Sequence, residues 1–389
     1  MDLRERLARL DRRQAGATPA PHEASPAGDP RDLGLTPRTG AAGTVWMCAH
    51  QAQEPAPPAR LGTLNRVTTH RAPEELAAED LLFLDTETTG LAGGTGTLPF
   101  LVGLGWWRHG FFSVEQYFLP SPSAERAMLA ELAGLAAGFK VVVTFNGQTF
   151  DLPLLKTRGI LARRRRLLDD LVSWDLLPVS RRFWGRRLPD CRQQTVESRI
   201  AGVRRGAGDI DASLIPQAYF SFVRQGRNGA LRAVIEHNRR DVAGMAAILC
   251  EALAQARLVE PRLPVPAVPW QDAWSLARLC ETRGDRVHEG LWMAEAVARA
   301  RLAMAPRPFF VDAVRIMKRT RDWSLVARLL ERAGDAHGAD PWLHHESAIL
   351  CEHRLGDLRR ALTHARALGD GHRIARLTRL IRERAETEG

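Results

Sequence analysis

One stretch limits the fold more than any other: Leu81-Leu82-Phe83-Leu84 runs straight into Asp85-Thr86-Glu87-Thr88-Thr89-Gly90. Four apolar residues followed by turn chemistry are the pattern of a buried strand. On a strand, Asp85 and Glu87 share a side, because side chains alternate with period two. Two carboxylates on one face at the end of a buried strand repel each other unless a cation lies between them. Oxygen donors at that spacing suit Mg²⁺ or Mn²⁺.

An Asp-x-Glu pair is common at strand ends, where it also serves as a solvated terminus or a cap. Two further segments give it weight. Val141-Val142-Val143-Thr144-Phe145 is a β-branched strand that enters Asn146-Gly147-Gln148-Thr149-Phe150-Asp151, and a helix is expected from Asp151. Ala233 to Met245 has helical spacing and carries His237 and Asp241 four residues apart, about 40° from alignment on one helix face. Asp85, Glu87, Asp151, Asp241 and His237 thus form a constellation drawn from three segments.

The order DTETTG, NGQTFD, HNRRD resembles the three motifs of the DEDD (DnaQ-like) 3′-to-5′ exonucleases on a ribonuclease H-like fold. The longer strings DTETTGLAGGTGTLPFLVGLG, TFNGQTFDLPLLKTR, WDLLPVSRRFW, LPDCRQQTVE and HNRRDV are similar to the YprB-type ribonuclease H-like exonucleases, over about Leu81 to Leu258. The resemblance implies that Asp85, Glu87, Asp151 and Asp241 bind two divalent ions, Mg²⁺ or Mn²⁺, and that His237 activates or orients the attacking water. It also makes Thr88, Gly90 and Asn146 candidate substrate contacts, although Asn146 equally suits a turn. His237 departs from the family pattern. It is a histidine at the four-residue spacing of the tyrosine branch, whereas the histidine branch uses five.

The chemistry explains why such residues are needed. A phosphodiester and its attacking hydroxide are both anionic, and two carboxylate-held divalent ions offset the repulsion. A neutral imidazole, with an ordinary pKa of about 6.5, can accept the water's proton.

The 389 residues suffice for two or three domains, and the net charge of +10 favours an anionic partner. Lys140, Lys156 and Lys318 are the only lysines, an arginine bias that genome composition can produce as readily as function. Arginine clusters at 163–166, 181–182, 186–187 and 204–205 suit a sequence-independent grip on a phosphate backbone, or solvated helix faces. Five scattered cysteines with no Cys-x-x-Cys argue against zinc and for a reducing cytoplasm. The charged MDLRERLARL start is no secretory signal, and no apolar run approaches the ~18 residues of a membrane span.

Residues 1–42, rich in Pro, Ala, Gly and Arg, are expected to be mostly disordered, and 43–79 to form a small β-ribbon leading into the next domain. Residues 80–258 form the expected α/β domain, a ribonuclease H-like mixed sheet flanked by helices. Within it, Asp175 is expected to cap a helix, and the glycine-rich 90–97 to approach the substrate terminus or to serve as a hairpin. A proline-rich linker spans 259–271. Beyond it, Asp285, Asp322 and Asp357 recur at spacings of 37 and 35 residues between helical patterns, close to the 34-residue tetratricopeptide period. Residues 272–389 are therefore expected to be an all-α tetratricopeptide-like domain for a partner, or a cap that buttresses the α/β domain.

These features predict a cytoplasmic metal-dependent 3′-to-5′ exonuclease acting on nucleic acid. The resemblance favours DNA in repair, with a helicase as a partner for the repeats. An RNA exonuclease and a catalytically weak scaffold acting through its helical repeats are the alternatives.

Overall fold

A computed structural model describes residues 28–53, 55–90, 96–164, 166–205, 210–259, 266–338 and 340–388. The disorder expected for 1–27, most of the glycine-rich turn (91–95) and linker residues 260–265 lie outside these. The described residues group into two compact units. The first comprises 1–62, 69–176 and 200–250, and the second 63–68, 177–199 and 251–389.

The first unit is built on a seven-stranded sheet: β1 (Thr36–Gly40), β2 (Gly43–Ala52), β3 (Leu81–Thr88), β4 (Pro99–Arg108), β5 (Phe111–Phe118), β6 (Val141–Thr144) and β7 (Val172–Asp175). Their order across the sheet is β1-β2-β5-β4-β3-β6-β7. The first five pair antiparallel, and β3-β6-β7 pair parallel. Parallel neighbours require crossover connections, here provided by α1 (Glu125–Ala136) and α2 (Asp151–Leu161). Helices α5 (Ile215–Gln225) and α6 (Gly229–Arg257) follow later in the chain. One core gathers Leu82 and Leu84 with Phe100, Phe118, Leu129 and Phe222, and the Phe100 and Tyr219 rings stack at 4.3 Å. The alternate residue Phe83 meets Trp107 and Phe112 edge-on. Period-two alternation therefore sets β3 between two apolar layers.

Two N-terminal expectations are corrected. Within 28–42, Asp29 caps a 3₁₀ turn at Pro30–Leu33, and β1 then pairs with β2. Leu33 and Leu35 are buried in the core, so two leucines anchor a segment whose composition looks like that of a linker. Within 43–79, β2 pairs with β5 as an integral sheet strand, and Leu61–Arg66 is a 3₁₀ turn rather than a strand.

The second unit is helical. It includes α3 (Leu176–Trp184) from its second residue, α4 (Gln193–Arg199), and the pairs α7 (Trp270–Thr282) with α8 (Arg286–Arg299), and α9 (Arg307–Thr320) with α10 (Trp323–His337). It then runs through α11 (Pro341–Leu350), a π-turn at Cys351–Leu355, α12 (Leu358–Leu368) and α13 (Gly371–Glu388). The recurring aspartates are N-caps: Asp285, Asp322 and Asp357 accept the backbone N–H of His288, Leu325 and Arg360 at 3.2, 3.0 and 2.9 Å. Their spacing marks the start of the second helix in three successive hairpins. Among the described residues no helix is long and apolar enough to cross a membrane.

Candidate active site

All the proposed site residues lie in the sheet unit. The register places Asp85 opposite Gly103 and Glu87 opposite Leu101 on β4, and slips after Glu87. Asp85 and Glu87 therefore share a side of the strand. Gly103 and Gly105 make room for helix α6. A Cβ at Gly103 would come within 2.3 Å of Asn238 Oδ1, and one at Gly105 within 2.5 Å of Val242. Asn238 and Val242 are one helical turn apart, so the Gly-x-Gly of β4 is the seat of α6. That seating brings His237 and Asp241 to the carboxyl end of β3.

Four carboxylates converge there. Burial holds the Asp85 carboxyl well above the usual carboxylate range, and the charges of Asp241, Glu87 and Asp151 push it further the same way. A hydrogen bond from Asn238 opposes them. Asp151, the first residue of α2, is pushed up to about 6 by burial, against hydrogen bonds from Thr86 and from the backbone. Glu87 and Asp151 are buried, as is His237, whose Nε2 lies 3.3 Å from Asp241 Oδ2.

Several carboxylate oxygens are fixed by neighbours that the sequence did not single out. Asn238 Nδ2 donates to Asp85 Oδ2 at 2.7 Å. Its own Oδ1 accepts from the fully buried Gln116 of β5 at 2.8 Å, which sets the amide's orientation. Thr86 Oγ1 donates to Asp151 Oδ1 at 2.5 Å. Arg205 Nη2 pairs with Asp241 Oδ1. Signals for Asn238 were present, since it lies inside the HNRRD string and faces the Gly-x-Gly of the FLVGLGWW strand. Arg205 had no local signal beyond being one of two adjacent arginines.

The candidate substrate contacts are placed as follows. Thr88 Oγ1 donates to the Gly90 carbonyl at 2.9 Å, tying the strand end to the start of the glycine-rich turn. Asn146 adopts a left-handed conformation, φ +67°, in the turn after β6. Asp175 at the end of β7 accepts the N–H groups of Asn146 and Gln148 at 2.7 and 3.2 Å. The carboxylate expected as a helix cap braces the turn that delivers Asp151.

The arginine clusters divide. In the helical unit Arg187 Nε pairs with buried Asp272 at 2.9 Å, and the Arg186 guanidinium lies 4.5 Å over the Trp274 ring, so both support packing. Arg166 pairs with Asp170 on the surface, and Arg165 lies outside the described residues. Arg204 is exposed while the Arg205 side chain is 11% exposed.

Among the described residues, no group of three His, Cys, Asp or Glu side chains is arranged to hold a metal ion. The donor chemistry nevertheless fits a divalent cation. The donors are hard oxygens, buried at Glu87 and Asp151 and half-buried at Asp85 and Asp241, mutually repelling, and a protein cation already lies against one of them.

Residues 82–252 match the RNase_H_2 family model of the RNase H superfamily. Over 170 residues, 43% of this chain, the sequence is 35% identical to "Uncharacterized protein YprB" of Bacillus subtilis (strain 168). The chain spans about two fifths, 41%, of the length of that relative. The matched segment runs from the second residue of β3 into α6 and holds all of the convergent carboxylates; its mixed sheet with flanking helices is consistent with a ribonuclease H-like α/β fold, and a helical region follows it in the chain.

Proposed function

We propose that the chain is a metal-dependent 3′-to-5′ exonuclease of the DEDD type, acting on single-stranded or partly unwound DNA in repair. The observation that carries this reading is the convergence of Asp241, Glu87 and Asp151 on half-buried Asp85, in a domain that matches the RNase H superfamily. Such a cluster is unfavourable for folding alone and suited to holding cations. Asp85, Glu87, Asp151 and Asp241 are the residues that would hold them. Two divalent ions bound there would supply charge neutralisation for the attacking and leaving oxygens of a phosphodiester.

The remaining work falls to the protein's own groups. Asn238 and Thr86 fix the lone pairs of Asp85 and Asp151. His237, oriented by Asp241, accepts the proton of the attacking water. Thr88, Gly90 and Asn146 line the approach for the terminal nucleotide. The three capped helical hairpins act as a tetratricopeptide-like surface for a protein partner such as a helicase.

Digestion of single- and double-stranded DNA and RNA with Mn²⁺ or Mg²⁺, beside Asp85→Ala, tests the reading. Metal-dependent shortening of single-stranded DNA that Asp85→Ala abolishes is expected. Faster loss of RNA would make the enzyme a ribonuclease. Nucleic-acid binding without cleavage would make it a scaffold.

A further inference from the structure

Arg205 sets Asp241 apart from its companions. Asp85 and Asp151 are held by neutral donors, the Asn238 amide and the Thr86 hydroxyl. Asp241 instead receives a full positive charge on Oδ1, while its Oδ2 lies 3.3 Å from His237 Nε2. The guanidinium is well shielded, its side chain only 11% exposed, although the adjacent Arg204 is exposed. Burying an arginine is costly unless a partner compensates it, and Asp241 is such a partner. A guanidinium and a divalent ion answer the same electrostatic demand, and they compete for the same carboxylate oxygen. A phosphate diester offers the guanidinium an equivalent planar, charge-assisted partner.

We propose that Arg205 is an internal counter-cation that closes one metal position at Asp241 until a nucleic-acid phosphate draws the guanidinium away. This inference rests on the metal-site reading above. It makes metal and nucleic acid bind cooperatively through one side chain: each displaces Arg205 for the other, and by linkage the coupling is equal in both directions. It also confines full metal loading to the substrate complex, which protects bystander phosphodiesters from a permanently charged site.

The test is a Mn²⁺ titration followed by the electron paramagnetic resonance signal of free Mn²⁺. It uses the full chain, with and without a short oligothymidylate whose 3′ linkages are phosphorothioates. Arg205→Gln should bind the more weakly held Mn²⁺ about tenfold tighter than the parent without oligonucleotide, within the usual range of coupling energies. The oligonucleotide should tighten Mn²⁺ binding at least about fivefold in the parent and in Arg205→Lys, and leave Arg205→Gln nearly unchanged.

Equal or weaker Mn²⁺ binding by folded Arg205→Gln would overturn the proposal and make Arg205 a structural brace. If Arg205→Gln loses its fold, the parent decides alone, since absence of coupling between Mn²⁺ and oligonucleotide overturns the proposal. Asp241→Asn separates the two layers of argument. Should it leave Mn²⁺ binding untouched, the metal site itself is misassigned and the inference falls with it. Should it weaken Mn²⁺ binding while the Arg205 variants change nothing, only the counter-cation is refuted.

Discussion

Two acidic side chains, Glu281 of the helical unit and Asp85 of the sheet unit, stand in opposite surroundings. In the helical unit Glu281 sits among arginines. The hydrogen bond from Arg315 first, then those from Arg319 and the charge of Arg278, hold its carboxyl down at about 2 against some burial. Arg315 also reaches Asp312 at 2.8 Å, which accepts from the Trp274 indole at 2.9 Å. In the sheet unit, Asp85 is raised by burial and by three other carboxylates. The first arrangement lowers the folded state's energy and the second raises it. Crowded carboxylates whose pKa values are pushed upward are a feature of functional sites, and this contrast is what the proposed metal site rests on.

Breaking the crowded cluster should have the largest effect. Asp85→Asn is expected to reduce metal-dependent nuclease activity to background and to raise the melting temperature, because the neutral amide removes a buried, repelled charge. Calorimetry beside the nuclease assay checks both, and a lowered melting temperature would show that the cluster is a stabilising one after all. His237→Ala comes next, with hydrolysis slowed by roughly 10²–10⁴-fold and Mn²⁺ affinity little changed. His237→Tyr should retain more activity than alanine if the four-residue spacing to Asp241 matters. Single-turnover rates decide this, and an alanine variant as fast as the parent would leave the histidine a packing role.

A smaller loss is expected at Asn238, which acts by holding Asp85 Oδ2. Asn238→Ala frees Asp85 and leaves Gln116 Nε2 with the Ile235 carbonyl as its acceptor, and metal affinity or activity should fall by about 10–100-fold, the scale for losing a ligand-orienting partner. Isothermal titration with Mn²⁺ measures it. The smallest effect belongs to the paired region. Glu281→Gln should cost on the order of 1 kcal/mol of stability at neutral pH, the upper end for partly exposed ion pairs. Glu281 has a depressed pKa in the fold, so its contribution is complete above the ordinary value of 4.5. It should fade as pH falls toward about 2. Chemical denaturation of parent and variant across that range should converge at the acid end.

Much of the sheet unit was legible in the chain, for identifiable reasons. Residues 81–84 and 141–143 declared buried strands by continuous apolar character, the first of which runs on to Thr88, and the spacing around His237 and Asp241 declared a helix face. Their convergence was legible only by resemblance, because no local pattern says that β3 lies between β4 and β6. Asn238 and Gln116 were missed because their roles arise where α6 settles on the two glycines of β4, a contact between segments more than a hundred residues apart; Arg205 was read only as half of a basic cluster because its partner Asp241 lies 36 residues on. The N-terminal strand was misjudged because composition underrates two well-placed leucines. The grouping of 177–199 with the C-terminal helices had no sequence signal, since Arg187 and Asp272 are 85 residues apart.

The central claim is that the carboxylates around Asp85 make a divalent-metal site that removes nucleotides from 3′ ends. The most direct measurement follows two copies of one single-stranded oligodeoxynucleotide, labelled at the 5′ or the 3′ end, through digestion with Mn²⁺ by the parent and by Asp85→Asn. The 5′-labelled strand should shorten in single-nucleotide steps, and the 3′ label should appear at once as mononucleotide. Neither should change with Asp85→Asn or with chelator. Cleavage that survives Asp85→Asn, or a 5′ label released first, would contradict the account.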